Sequence, residues 1–197
     1  MKELRISLSK LQELVIDITK IDRNHTIPGL NRNENVVEHS FSVAMLCWKI
    51  HAYIKSNLNL EKIFKYCLAH DFLERGMKQD VNTYAPNKQK VSKKEYENHQ
   101  LALLTNEFSD FEDMITTIIE YEDQTNEEAR FVKIVDKMQA IILGEIDNWK
   151  PYIRVNVSHA DFVKKGDEFM NICPDSLKDV LKELNEYSRS TFYDQPK

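Results

Sequence analysis

Apolar residues return at intervals of three and four along most of this chain, which is the period of a helix packed on one side. Residues 3–20 carry Leu4, Ile6, Leu8, Leu11, Leu14, Val15 and Ile18 on such a stripe, and similar stripes recur to the C-terminus. Few runs alternate in polarity, and only four glycines and five prolines interrupt 197 residues. With 42% apolar residues the expectation is an all-α fold: one helical domain spanning 1–197, long enough to bury a core. Helices are predicted over about 32–57, 60–70, 92–107, 109–122, 127–149, 159–171 and 175–191. The Pro28-Gly29 pair and the stretch from Gly76 to Pro86 read as loops, and Pro151 is expected to close the helix before it.

Three stripes carry an ionisable residue where an apolar one belongs. His39 heads the stripe Val43, Leu46, Ile50, Ile54. His70 follows Ile63, Tyr66 and Cys67 at the end of its helix. Asp136 interrupts Ala129, Val132, Ala140 and Leu143. A buried, unpaired carboxylate costs about several kcal/mol, so Asp136 needs a cation, a metal or a proton; Lys133 and Lys137 on adjoining faces offer a salt bridge. Asp71 is turned roughly 100° from His70 on an ideal helix, and the two can share a ligand only beyond the helix end. Glu74 returns to the side of His70 if the helix continues. Glu38 either orients His39 or is an exposed first-turn acid. Each residue alone has a bland reading, as a core histidine bonded to a carbonyl or an aspartate ending a helix. Together they make a set of two imidazoles and two carboxylates, suited to Mn, Fe, Co or Ni and acceptable to Zn, with positions left for water and substrate. An open site of that kind is catalytic, with Glu74 placed to move a proton.

Other classes are disfavoured. The formal charge is −5 with acid and base interspersed, which does not suit wrapping duplex nucleic acid; a small anionic substrate would need a metal or a local cluster. Cys47, Cys67 and Cys173 are odd in number and scattered, and read as reduced core thiols in a cytoplasmic protein. The first residues lack an apolar signal core, and no stretch approaches the roughly 18 uninterrupted apolar residues of a membrane span. No Gly-rich phosphate loop, Ser-His-Asp arrangement or close cysteine pair competes. Arg23 reads either as a phosphate contact or as a solvated loop residue. The run Lys88, Lys90, Lys93, Lys94 reads either as a solvated face or as a grip on phosphate oxygens.

The order His39, His70-Asp71, Asp136 resembles the H…HD…D signature of the HD-domain metal-dependent phosphohydrolases, over roughly residues 21–150, with residues 151–197 as C-terminal helices. Arg32-Asn33-Glu34-Asn35-Val36-Val37-Glu38-His39-Ser40 is similar to the entry to the first ligand helix in the bacterial 5'-deoxynucleotidases of that superfamily. Glu120-Tyr121-Glu122 followed by Glu128-Ala129-Arg130-Phe131-Val132-Lys133-Ile134-Val135-Asp136-Lys137 resembles the segment carrying their last ligand. The resemblance implies one divalent ion held by His39, His70, Asp71 and Asp136, with Glu74 as acid or base. It implies substrate contacts at Arg23 and at Asp80 toward the sugar hydroxyl, while Lys88 is a candidate contact from the lysine run alone. Arg23 is displaced by one position from the family's arginine, Asp80 comes one residue late, and the tryptophan expected beside the arginine is absent, with Asn24 or His25 in its region. A nucleotide substrate and a homo-oligomer are implied as partners. The activity implied is release of phosphate from deoxynucleoside 5'-monophosphates; the alternative is a dATP-type triphosphohydrolase releasing tripolyphosphate, which the lysine run favours. A silent nucleotide-binding HD module is a third reading, opposed by the complete ligand set. A cyclic-dinucleotide phosphodiesterase is opposed by Phe72-Leu73 and the lack of a Gly-Tyr-Pro motif.

Overall fold

A computed structural model describes residues 2–78, 81 and 83–193, with Asn87 and Lys88 described in backbone only. Its helices are α1 (Lys2–Thr19), α2 (Val36–Tyr53), α3 (Leu60–Ala69), α4 (Asn87–Glu107), α5 (Glu112–Glu122), α6 (Glu127–Ile146), α7 (Lys150–Arg154), α8 (His159–Ile172) and α9 (Lys178–Thr191). The all-α expectation holds. Among the described residues, no helix is long and apolar enough to cross a membrane.

The bundle is arranged around α6. Ala129, Phe131, Val132, Ile134, Val135, Met138 and Ile141 are all buried, so this helix is covered on several sides, by α2, α3, α5, α8 and α9. Full burial of each Val, Ile, Phe or Met side chain among them contributes about 1.5–3 kcal/mol. A second cluster, including Leu14, Ile18, Phe72, Leu104 and Ile118, joins α1, α4 and α5 to the ends of α2 and α3. Only the second half of α1 takes part. Leu4, Ile6 and Leu8 remain exposed, because the packing partners of α1 lie against its C-terminal half.

Two segments depart from the sequence reading. Residues expected to be loop and helix entry form an antiparallel pair, β1 (Asp22–Thr26) and β2 (Asn33–Asn35), joined by a turn in which Gly29 takes φ +83°. The first ligand helix therefore starts at Val36 rather than Arg32. Asn35 caps it reciprocally with Glu38: Asn35 Oδ1 accepts from the Glu38 amide and a Glu38 carboxylate oxygen accepts from the Asn35 amide, both at 3.0 Å. Arg32 grips the same carboxylate at 2.7 and 2.5 Å, so Glu38 is a capping acid and not the partner of His39. Pro151 does not close the long helix either. The chain leaves α6 through Asn148 and Trp149, both left-handed, and Pro151 sits in the first turn of α7, where its missing amide costs nothing. Gly144 permits this reversal: a Cβ there would stand 2.5 Å from a ring carbon of Tyr152.

The helix carrying His39 thus depends on its cap. Asn35→Ala should lower unfolding stability by about 1 kcal/mol, read as a shift of the urea midpoint without a change in slope; an unchanged midpoint would show that the cap does not set this end.

Candidate metal centre

Three helices deliver the four polar residues. His39 lies one turn into α2, His70 caps α3, Asp71 follows it, and Asp136 is midway along α6. His39 is fully buried, and His70 and Asp136 are 5% exposed, so water cannot compensate them. Single ligand atoms of His39, His70 and Asp136 lie within 4.8 Å of one another. His39 Nε2 is 3.0 Å from Asp136 Oδ1. Asp71 Oδ2 lies 3.3 Å from His70 Nε2 and 3.9 Å from His39 Nε2.

Hydrogen bonding decides what these atoms offer. His70 Nδ1 lies 2.9 Å from the Cys67 carbonyl, which can only accept, so Nδ1 carries the proton and Nε2 a lone pair. His39 Nδ1 lies 3.1 Å from Gln139 Oε1, because the Gln139 amide nitrogen donates to Glu34 Oε2 at 3.2 Å. Nε2 of both imidazoles is buried without a hydrogen-bond partner among the described residues. Two lone pairs therefore face two carboxylates across distances that repel unless a cation stands between them. A divalent ion fits this donor set of two nitrogens and carboxylate oxygens.

Burial would raise both carboxyls, but His70, Arg23 and His39 around Asp71, and Lys137, His39 and His70 around Asp136, hold them well below the ordinary carboxylate range. Lys137 Nζ reaches Asp136 Oδ2 at 2.8 Å, so the salt bridge open in the sequence is formed while Oδ1 faces His39. Burial opposes protonation of His70, yet the Asp71 charge overcomes it and raises the imidazole above its ordinary value.

Glu74 does not arrive by a continued helix. α3 ends at Ala69, and one 3₁₀ turn, Phe72–Glu74, folds Glu74 into the same cleft, where it is 2% exposed and its Oε1 meets Lys93 Nζ at 2.5 Å. Arg23, on β1, is buried against the cluster: its Nη1 donates to Asp71 Oδ2 at 3.0 Å, and its other nitrogens lie 3.5 Å from Glu34 and 3.9 Å from Asp136. Asp80 and the side chain of Lys88 lie outside the described residues. The other lysines of that run diverge. Lys93 takes Glu74, Lys94 pairs with Glu122 at 2.7 Å on the cleft wall, and Lys90 lines a different groove with Lys164 and Lys165.

Several residues of the site escaped the sequence reading. Gln139 follows Asp136 by three positions, a same-face spacing that was available as a signal. Lys133 also lines the cleft, its ammonium 5.2 Å from the Tyr121 ring centre. Arg23, Asp136 and Lys137 also line an adjoining pocket walled by His25, Tyr84 and Tyr152, where His25 and Tyr84 each meet Tyr152 edge to face at 5.9 Å. No local pattern announces it.

Because His70 is raised, a proton holds its Nε2 at a higher pH than on free imidazole, in competition with a metal. Mn²⁺ affinity should be full above the His70 pKa and fall as pH drops through it, approaching about tenfold per pH unit. Calorimetric titration in buffers of different ionisation enthalpy should show proton release; pH-independent affinity would exclude His70 as a ligand.

The family model for the HD domain matches residues 18–177. No curated protein matches the chain. Among solved structures, a protein of Magnetospirillum magnetotacticum MS-1, described as a predicted metal-dependent phosphohydrolase, superposes with a TM-score of 0.76 at 19% identity, covering 96% of this chain and 98% of that one. A Pyrococcus horikoshii OT3 protein gives 0.62 at 22% identity, over 88% and 96%. A conserved hypothetical protein from Pyrococcus furiosus gives 0.63 at 20%, over 90% and 98%. These likenesses show a shared fold, and with the family match over most of its length they establish that the chain belongs to the HD-domain family.

Proposed function

We propose that the chain is a metal-dependent phosphohydrolase that removes the 5'-phosphate of deoxynucleoside monophosphates. The observation that carries this reading is a pair of adjoining pockets, walled in common by Arg23, Thr83, Asp136 and Lys137, with two chemistries. At the floor of one, convergent imidazole lone pairs and carboxylates suit a divalent ion, ringed by Arg23, Lys93, Lys94, Lys133 and Lys137. In the other, past Asp136 and Lys137, the His25, Tyr84 and Tyr152 rings suit a flat heteroaromatic base. The family membership, and the description of the Magnetospirillum protein, agree with phosphohydrolase chemistry.

His39, His70, Asp71 and Asp136 would hold the ion, which when bound supplies Lewis-acid chemistry toward phosphorus and water. The rest falls to the chain. Arg23 and Lys133 neutralise and orient the phosphate oxygens. Glu74 takes a proton from the attacking water as its oxygen bonds to phosphorus, and the same carboxyl returns that proton to the departing 5'-oxygen as the P–O bond breaks. Lys93 holds the Glu74 carboxylate in place through the cycle.

A deoxynucleoside triphosphate hydrolase releasing tripolyphosphate is the second reading. It is favoured by Lys133, which has no ion-pair partner among the described residues and so is available to a longer phosphate chain. Against it, Lys93 and Lys94 are engaged by Glu74 and Glu122.

Chelated protein reloaded with Mn²⁺ or Co²⁺ should release orthophosphate from dAMP; tripolyphosphate from dATP with inert monophosphates would replace the first reading by the second. Glu74→Ala should retain the ion and lose about 10²-fold or more in turnover, whereas Asp71→Asn should lose both; full activity in either variant would show that the chemistry lies elsewhere.

A further inference from the structure

The two imidazoles reach the same protonation pattern by different means. His70 is fixed by the Cys67 backbone carbonyl, whose role cannot be reversed. His39 Nδ1 has its hydrogen bond to a side-chain amide, which can turn over, with Glu34 Oε1 a further 3.6 Å neighbour that also favours a proton on Nδ1.

Two arrangements are open to His39. In one, Gln139 presents Oε1, His39 Nδ1 carries the proton, and Nε2 keeps its lone pair. In the other, Gln139 presents its amide nitrogen, Nδ1 accepts, and Nε2 carries the proton. With Asp136 Oδ1 only 3.0 Å from Nε2, the second arrangement places a donor against a carboxylate and is locally the more comfortable without a metal. It is also unable to ligate one. The residue that opposes it is Glu34, whose Oε2 lies 3.2 Å from Gln139 Nε2: turning the amide over would set two acceptors against each other in a place closed to water. Glu34 and Gln139 are each 3% exposed and His39 is fully buried, so solvent cannot relieve that clash. Ser42 Oγ, 3.5 Å from Gln139 Nε2, can donate or accept and so leaves the choice of orientation to Glu34.

We propose that Glu34 and Gln139 are positioning residues, a buried relay that locks His39 in the Nδ1–H form and keeps its Nε2 open for the metal. The inference rests on the metal-site reading and goes beyond it by assigning a function to two residues that touch neither metal nor substrate. Glu34 Oε1 also lies 3.5 Å from Arg23 Nε, so the same carboxylate adjoins the arginine assigned to the phosphate.

The test compares Mn²⁺ binding by calorimetry, and the protonation of His39 by ¹⁵N-resolved NMR, in the wild type, in Glu34→Gln and in the double exchange Glu34→Gln/Gln139→Glu. Glu34→Gln frees the amide to turn, so Mn²⁺ affinity should fall about tenfold or more and the His39 proton should move from Nδ1 to Nε2. The double exchange restores the polarity: the new amide at 34 donates to the new carboxylate at 139, which accepts only. It should recover the Nδ1–H signal and most of the affinity, although the side chain at 34 no longer offers Arg23 a charge. Glu34→Gln with unchanged affinity and unchanged Nδ1–H would overturn the relay while leaving the metal site intact. So would a folded double exchange that binds no better than Glu34→Gln. A wild type that binds no Mn²⁺ would overturn the metal reading, and the relay with it.

Discussion

A buried and a half-buried carboxylate facing two imidazole lone pairs form an arrangement that electrostatics disfavours in the absence of a cation. Asp136 is shut off from water and Asp71 is only partly exposed, and Lys137 and Arg23 reach only part of their oxygens. The fold holds the cluster because its donors are mounted on rigid elements. α6 is covered on several sides and fixes Asp136, and the reciprocal cap at Asn35 and Glu38 fixes the start of α2 one turn before His39. The end of α3 leaves the Cys67 carbonyl free to orient His70. The stability of the bundle thus supports a local arrangement that is costly by itself, a common condition of functional sites.

Around that cluster the charges divide in a way that suits a phosphate ester. Cations line the floor of the cleft, but most are partnered: Lys93 with Glu74, Lys94 with Glu122, Lys137 with Asp136. Partnered cations orient carboxylates, and Lys133 is the one whose charge is least engaged among the described residues. The adjoining pocket shares Arg23, Asp136 and Lys137 with that floor and adds the rings of His25, Tyr84 and Tyr152.

How much of this was readable beforehand depended on how local the signal was. His39, His70 and Asp136 each interrupt a helical stripe, and a 3.6-residue period suffices to show which way they point. Asp71 is adjacent to His70, so its place followed once the helix end was known. Gln139 shares a face with Asp136 three positions before it, but α6 is buried on more than one face, and a single stripe drawn through Ala129, Val132, Asp136, Ala140 and Leu143 steps past it to Ala140. Glu34 was read as the approach to a helix because the β1–β2 pairing is short and lacks alternation. The aromatic pocket is brought together by the left-handed step at Asn148 and Trp149, which tertiary packing of Tyr152 over Gly144 selects. The lysine run gave its composition but not its directions, since one residue of helical rotation separates Lys93 on Glu74 from Lys94 on Glu122.

The most direct measurement of the central claim is anomalous diffraction at the manganese edge from crystals soaked in Mn²⁺. The account predicts one strong peak within about 2.0–2.3 Å of His39 Nε2, His70 Nε2 and an oxygen of each of Asp71 and Asp136, ordinary ligand distances for such an ion. A peak elsewhere in the chain, or full occupancy with His39 and Asp136 still in direct contact, would contradict it.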